Sequence, residues 1–352
     1  MEFGLNFFPD VSPEQKPARQ YFSETLALAE LADELGYSHV RMVEHHFHRY
    51  GGYSPNPLVF LAAAAQRTRR VRLITGAVLP VFNHPLKLAG EIAMVDAISG
   101  GRVEIGFARA FLPHEFERFG RSLDESRARF DEGVSAVTGL LTQRDFSFEG
   151  AFHSFPETTS LPRPTQSPAP PLWTAALSSE ESFANAGRRG HHLMAIPLSG
   201  GKMRDLIAVY RDARRSAGHP GNGRVMLAFH LLCRQDHDQA VETARGPVNA
   251  YLESLTDAAG AWVSGTTSDD YPGYDKMITK LREDSFDAQL AAGTIWVGTP
   301  DRIVDQISAY RQEIGMFEEA SLQVNFNSLP VDEARTTVEL FAREVVPRVA
   351  HL

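Results

Sequence analysis

The residues with the most chemical potential stand together at Glu44-His45-His46-Phe47-His48. A histidine beside an acid can give or take a proton near neutral pH, because its unperturbed pKa is about 6.5. Three histidines in four residues also raise metal ligation. The spacing is not the i, i+4 pair of a helical zinc site, and no other candidate site supplies a carboxylate–histidine set, so no metal is assigned. A histidine satisfied by hydrogen bonds and another at the surface account for His46 and His48 as well as function does. His45, directly after Glu44, can work as a proton donor or acceptor with Glu44 as the candidate group to orient it, but on spacing alone the cluster stays ambiguous and the metal reading stays in play.

Other short stretches offer binding chemistry. Thr75-Gly76-Ala77 is small enough for backbone to approach a flat ligand, although a bend in the chain explains that stretch better when taken alone. Arg109 stands between Ala108 and Ala110; a phosphate contact suits its planar guanidinium, and so does a surface salt bridge. Ala175-Ala176-Leu177-Ser178-Ser179 runs into an acidic helix start. Free N–H groups and the helix dipole favour an anion there, and capping by Ser178 or Ser179 is compatible with it. Phe8, Phe47, Tyr53, Phe107 and Phe111 are candidate pocket walls for an apolar or aromatic ligand, although aromatic residues more often fill cores.

These groups need a scaffold that brings separate strand ends together. Short apolar runs predict strands at Phe3–Phe8, Ser38–Val43, Val71–Leu79, Val103–Phe107, Leu172–Ala176, His192–Ile196, Val225–Cys233 and Ser321–Phe326. Helical spacing separates them, for instance at Arg19–Leu35, Pro57–Arg69, Pro85–Ser99 and Gln235–Leu255. Strands alternating with helices imply a parallel sheet, and eight such pairs close into a (β/α)8 TIM barrel whose strand C-termini carry the site. An open doubly wound sheet is the alternative, but Phe8-Pro9-Asp10 replaces the glycine-rich turn it would show. Residues 1–352 read as one domain with insertions. Asp145–Phe155 reads as a hairpin, and Ala258–Asp287 as a long non-periodic loop after the seventh strand, a lid or a disordered segment.

Composition narrows the partners. The net charge is −9 with no offsetting basic stripe, which disfavours nucleic acid and anionic membranes. No stretch approaches a membrane span. The lone Cys233 excludes an intrachain disulfide, and a reducing cytoplasm is the expected location.

Taken in order, the strand ends resemble the luciferase-like family of flavin-dependent monooxygenases over nearly the whole chain. The carriers are Phe3-Gly4, Glu44-His45-His46-Phe47, Val78-Leu79-Pro80 with His84-Pro85, Ser99-Gly100-Gly101-Arg102 with Gly106, Leu172–Ser179, Val297-Gly298-Thr299-Pro300, and Leu340-Phe341-Ala342 with Val346-Pro347. The Glu-His-His-Phe element is most similar to luciferase α subunits. His48, Gly51-Gly52-Tyr53 and Pro55-Asn56-Pro57 are similar to members from secondary-metabolite pathways. The resemblance implies reduced FMN from a separate NAD(P)H:flavin reductase. It also implies O₂ as co-substrate, a C4a-(hydro)peroxyflavin, and oxygenation of a small or carrier-tethered metabolite. It makes His45 the catalytic histidine and Arg109 a flavin-phosphate ligand, with Ser178 and Ser179 in the phosphate-binding turn that Ala175, Ala176 and Leu177 lead into. It makes Gly76-Ala77 a non-prolyl cis peptide behind the flavin ring, and puts Ala108 beside the flavin where luciferases carry cysteine. That last departure weakens any expectation of light emission. A homodimer, through helices beside the second and third strands, is also implied. A deazaflavin (F420) hydride-transfer enzyme and a non-catalytic flavin-binding relative are the alternatives.

Overall fold

The computed structural model describes all 352 residues. Its strands, in chain order, are β1 (Glu2–Phe7), β2 (His39–Met42), β3 (Arg72–Val78), β4 (Val103–Phe107), β5 (Phe146–Glu149), β6 (Ser154–Thr158), β7 (Leu172–Ala176), β8 (His192–Ala195), β9 (Val225–Cys233), β10 (Trp296–Gly298) and β11 (Glu319–Gln323). The main sheet runs β9-β11-β1-β2-β3-β4-β7-β8, and β8 pairs back to β9, so it closes as a parallel barrel of eight strands. This is the expected TIM barrel. β5 and β6 form the expected hairpin as a separate antiparallel pair.

Side-chain alternation divides each strand between two environments. On β1, Phe3, Leu5 and Phe7 join the large apolar layer under the helices, while Asn6 reaches Arg41 inside the barrel. A smaller interior cluster holds Ile74, Ala77, Trp173, Met194 and Met226. The N-terminal ends of the strands close with charge. Arg72 and Arg224 both pair with Glu2 and with the fully buried Glu319, and Arg72 also pairs with Glu104. The helices carry the stop and start signals their sequences suggested. Asn56 accepts from the Leu58 N–H ahead of Pro57, and Gly100 closes its helix at φ 68°, a conformation that favours glycine.

Three elements differ from expectation. β10 was not expected; it extends the sheet by pairing with Leu231–Cys233 at the end of β9. The eighth barrel strand starts at Glu319 and stops before Phe326. Ala258–Asp287 is not a bare loop. It contains a 3₁₀ turn at Gly260–Trp262 and a helix at Tyr274–Leu281, because Trp262, Tyr271 and Ile278 bury themselves against Leu112, Phe116 and Tyr50 at the C-terminal rim of the barrel.

Candidate active site

Strand alternation decides which way the Glu44-His45-His46 run points. His39 and Arg41 of β2 face the barrel interior, bonding Ser321 and Asn6. His45 continues that side just past the strand end. Its ring lies among Phe8 (centroids 5.5 Å apart), Tyr50 (5.3 Å) and Phe111 (6.3 Å). Glu44 falls on the opposite side. Its carboxylate accepts from the Leu79 N–H at 2.9 Å and from Asn83 at 3.0 Å, and meets His46 Nε2 at 3.1 Å. The assignment of Glu44 as the orienting partner of His45 is therefore corrected: neighbouring residues of an extended chain point apart.

The partner of His45 is Glu115, on the short helix Pro113–Arg118 after β4. Glu115 Oε1 accepts from the His46 backbone N–H at 2.8 Å and lies 3.1 Å from His45 Nδ1. The Glu115 side chain is fully buried and its Oε2 has no partner. A carboxylate only accepts, so Nδ1 carries the proton and Nε2 is left as the free proton acceptor. Sequence reasoning missed Glu115 because no motif marks it; its only signal was an acid placed shortly after a barrel strand end. His46 is held by Glu44, and His48 Nδ1 accepts from the Tyr50 N–H, so both serve the local backbone.

Burial raises the Glu44 carboxyl above its ordinary value, against His46, Leu79 and Asn83, which lower it. Three donors converge on it in a closed space. Glu44→Ala is expected to cost about 2 kcal/mol by leaving them unpaired, read as a lower midpoint in urea unfolding.

The next wall is built from small residues. The Gly76–Ala77 peptide is cis, as the resemblance implied. Ala77, Ala108 and Ala175, from the ends of β3, β4 and β7, pack beside one another around the interior cluster. They leave a flat surface with few side-chain atoms. Ala176 turns instead toward the helix layer, and Leu177 is half-buried at the rim. Arg109 and the Ser178-Ser179 turn follow adjacent, paired strands. Ser179 caps the helix Glu180–Arg188 by accepting from the Ser182 N–H. Arg109 donates to the Asp270 carbonyl at 2.7 Å and lies over the Tyr271 ring. Asp270 also accepts from the Arg127 N–H, and Arg127 pairs with Glu181 at 3.2 Å. Arg127, which the sequence did not single out, thus joins the same rim.

The five aromatic candidates separate. Phe8 and Phe111 surround His45. Phe107 is buried in the helix layer, because β4 turns Glu104 and Gly106 inward and Phe107 outward. Phe47 is 55% exposed and packs on Phe119. Tyr53 donates to the Lys16 carbonyl and lies edge-on to Tyr21. Phe47, Tyr53 and Phe107 are accordingly withdrawn as walls of this site. Tyr50 and Tyr251, which sequence reading passed over, take their place: their hydroxyls are 3.4 Å apart and both rings contact Phe8.

A parallel barrel with a histidine–carboxylate pair and a flat wall at its C-terminal rim is the build of a cofactor-using α/β-barrel enzyme. Residues 1–316 match the family model for luciferase-like monooxygenases. The oxygenase component of a flavin-dependent trigonelline monooxygenase from Acinetobacter baylyi is 28% identical, over 99% of this chain and 95% of that protein. The crystal structure of monooxygenase RslO1 from Streptomyces bottropensis is 43% identical, covers 99% of both chains and superposes with a TM-score of 0.88. The oxygenating constituent of 3,6-diketocamphane monooxygenase from Pseudomonas putida, a type II Baeyer-Villiger enzyme in complex with FMN, shares the fold at a TM-score of 0.83 and 22% identity, covering 99% of this chain and 98% of that one. The chain belongs to the luciferase-like monooxygenase family, and its enzyme class is that of a flavin-dependent monooxygenase.

Proposed function

We propose that this chain is the oxygenase of a two-component system. It takes reduced FMN from a separate NAD(P)H:flavin reductase and uses O₂ to oxygenate a small organic or carrier-bound substrate of secondary metabolism. The observation that carries this reading is the His45–Glu115 pair at the same C-terminal rim as the small residues Gly76-Ala77, Ala108 and Ala175, which end β3, β4 and β7. Buried polar atoms without partners, His230 Nε2 and Gln323 Nε2, lie inside the same barrel, which suits a flat heterocycle carrying polar edges. Reduced FMN, when bound, supplies the electrons that activate O₂.

The chain's own residues do the rest. Gly76-Ala77, Ala108 and Ala175 would support the ring. Arg109, Arg127, Ser178 and Ser179 would hold the phosphate, and the Asp270-Tyr271 contact with Arg109 would rearrange as it binds. Phe8, Tyr50 and Phe111 exclude water around His45. His45 Nε2 moves the proton.

Residues 1–352 act as one unit in this reading, which the Met1 amino group supports by donating to the Ala350 carbonyl at 2.7 Å. A homodimer is supported by apolar side chains left exposed beside β2 and β3, Val59, Met94 and Ile98. No helix is long and apolar enough to cross a membrane. The lone buried thiol, Cys233, suits a reducing cytoplasm.

The test is anaerobic loading with reduced FMN followed by an O₂ pulse in a stopped-flow spectrometer. A transient absorbance distinct from reduced and oxidised FMN, with ¹⁸O appearing in a product from a panel of ketones, phenols and N-heteroaromatics, is expected. Tight F420 binding with weak binding of reduced FMN would overturn the reading.

A further inference from the structure

One buried cation in the barrel has no counter-charge. Arg41 is only 7% exposed, and no carboxylate oxygen lies within 4.0 Å of its guanidinium. Its one hydrogen bond to an oxygen runs from Nε to Asn6 Oδ1, at 3.0 Å. Nη1 meets only the Met226 sulfur, at 3.8 Å. Burial brings the guanidinium pKa down to about 10, so it remains charged at neutral pH. Taking such a charge out of water costs several kcal/mol unless something pairs with it.

The surroundings repeat the deficit. Arg41 neighbours Asn6 in register, and Leu5 neighbours Leu322, which sets Asn6 beside Gln323; Gln323 in turn neighbours His230. Arg41, Asn6, Gln323 and His230 therefore form one inward layer across β2, β1, β11 and β9. Gln323 Nε2 is buried without an acceptor, and His230 Nε2 is buried without any partner. Burial lowers His230 to about 4, so its ring is neutral and adds no second positive charge to the layer. The layer's one engaged acceptor, Asn6 Oδ1, is taken by Arg41 itself. Donors outnumber acceptors, and the missing partner is an anion.

The shape is also specific. A Cβ added at Gly76 would lie 2.3 Å from Arg41 Cδ, so the arginine stem packs against the Gly76 backbone where only glycine leaves room. Above the layer, Tyr251 packs edge-on to His230 at 4.6 Å and leads through Tyr50 to His45. A ligand seated between Arg41 and His45 is thus flanked by a peptide plane and aromatic rings.

We propose that Arg41, with Gln323 and His230, forms an anion subsite on the floor of the active site that holds a planar, charge-delocalised monoanion. This deepens the flavin reading above and rests on it for the site's location. Two sources carry that chemistry: the pyrimidine edge of the reduced flavin ring, and an ionised aromatic substrate such as a benzoate or phenolate.

Arg41→Met and Arg41→Lys separate the outcomes. Dissociation constants are measured anaerobically for reduced and oxidised FMN, and thermal upshifts for benzoate against neutral benzamide and for 4-nitrophenolate against nitrobenzene. If the ring supplies the charge, Arg41→Met loses about tenfold or more in affinity for reduced FMN and less than about twofold for oxidised FMN, and Arg41→Lys recovers part of the loss. If the substrate supplies it, both flavin forms bind Arg41→Met as they bind wild type, and the preference for the aromatic anions disappears. An Arg41→Met protein that binds both flavin forms and every anion as wild type does would overturn the proposal. Should that variant fail to fold, wild type decides. Bound reduced FMN that stays anionic from about pH 9 down to about pH 5, or a clear preference for benzoate over benzamide, supports the subsite. Free-solution ionisation of the bound flavin with no such preference overturns it. If wild type binds neither flavin form, the flavin reading falls, and the benzoate–benzamide comparison still decides the role of Arg41.

Discussion

His45→Ala is expected to lower turnover by about three orders of magnitude while flavin affinity stays near wild type, and Glu115→Gln by about two. The two magnitudes follow from different losses. Alanine removes the ring that Glu115 holds through Nδ1, and with it the free Nε2. Glutamine keeps an oxygen that can accept from the His46 N–H and from His45 Nδ1, the contacts Glu115 Oε1 makes at 2.8 and 3.1 Å. It removes the negative charge that stabilises the imidazolium formed when Nε2 takes a proton, and it gives the ring a weaker hold on its tautomer. Glu115 is thus a positioning residue. The loss in Glu115→Gln should fall on kcat with KM little changed, because Glu115 lies behind the histidine rather than against a ligand. Glu115→Asp should recover part of the rate, and added imidazole should rescue His45→Ala but not Glu115→Gln. Circular dichroism and melting curves accompany the kinetics. A Glu115→Gln protein with wild-type kcat and an unchanged melting temperature would remove Glu115 from the mechanism.

How far such a pair could be foreseen depends on whether its logic is local. The barrel was legible because its strands are local apolar runs. Val103–Phe107, Leu172–Ala176 and Val225–Cys233 lie where the sequence placed them. β10 was not legible, since three residues show no period and what makes Trp296–Gly298 a strand is the overhanging end of β9. The helix Tyr274–Leu281 did carry a pattern, with Tyr274, Met277, Ile278 and Leu281 on one face, but glycine, serine and aspartate around it hid so short a stretch. At the site, His45 could be singled out by residue type alone. Glu44 misled because adjacency in sequence was read as adjacency in space, although alternation along an extended chain sends neighbours apart. The same alternation, applied to β4, would have withdrawn Phe107. Glu115 and Arg41 lay beyond reach for another reason. What makes each of them notable is the absence or presence of a partner on a different element, and that is fixed only when the barrel closes.

At the opposite end of the barrel, Glu319→Gln is expected to destabilise the fold by about 3 kcal/mol and to leave the flavin affinity of the native protein unchanged. Glu319 is fully buried between Arg72, at 2.9 Å, Arg224, at 2.5 Å, and His39, at 3.1 Å. Burial alone would push its carboxyl up. His39, Arg72 and Arg224 overcome that and hold it at about 2, against an ordinary value of 4.5. Because the folded value lies below the unfolded one, Glu319 contributes stability above about pH 4.5, and the contribution is lost as the pH falls toward about 2. The gap between wild type and Glu319→Gln should therefore be widest near neutral pH, on the order of 4 °C in melting temperature for a chain of this size. It should narrow steadily in acid. Glutamine keeps an oxygen for one of the cations but leaves the fixed charges of Arg72 and Arg224 answered only by Glu2 and Glu104, of which Glu2 is half-exposed. A gap independent of pH would mean that packing, and not the ion network, closes the floor of the barrel. A loss of flavin binding by the folded variant would mean that the floor and the rim are coupled through Trp173, whose indole N–H donates to Glu104 at 2.7 Å and whose ring belongs to the interior cluster beside Ala77 and Met226.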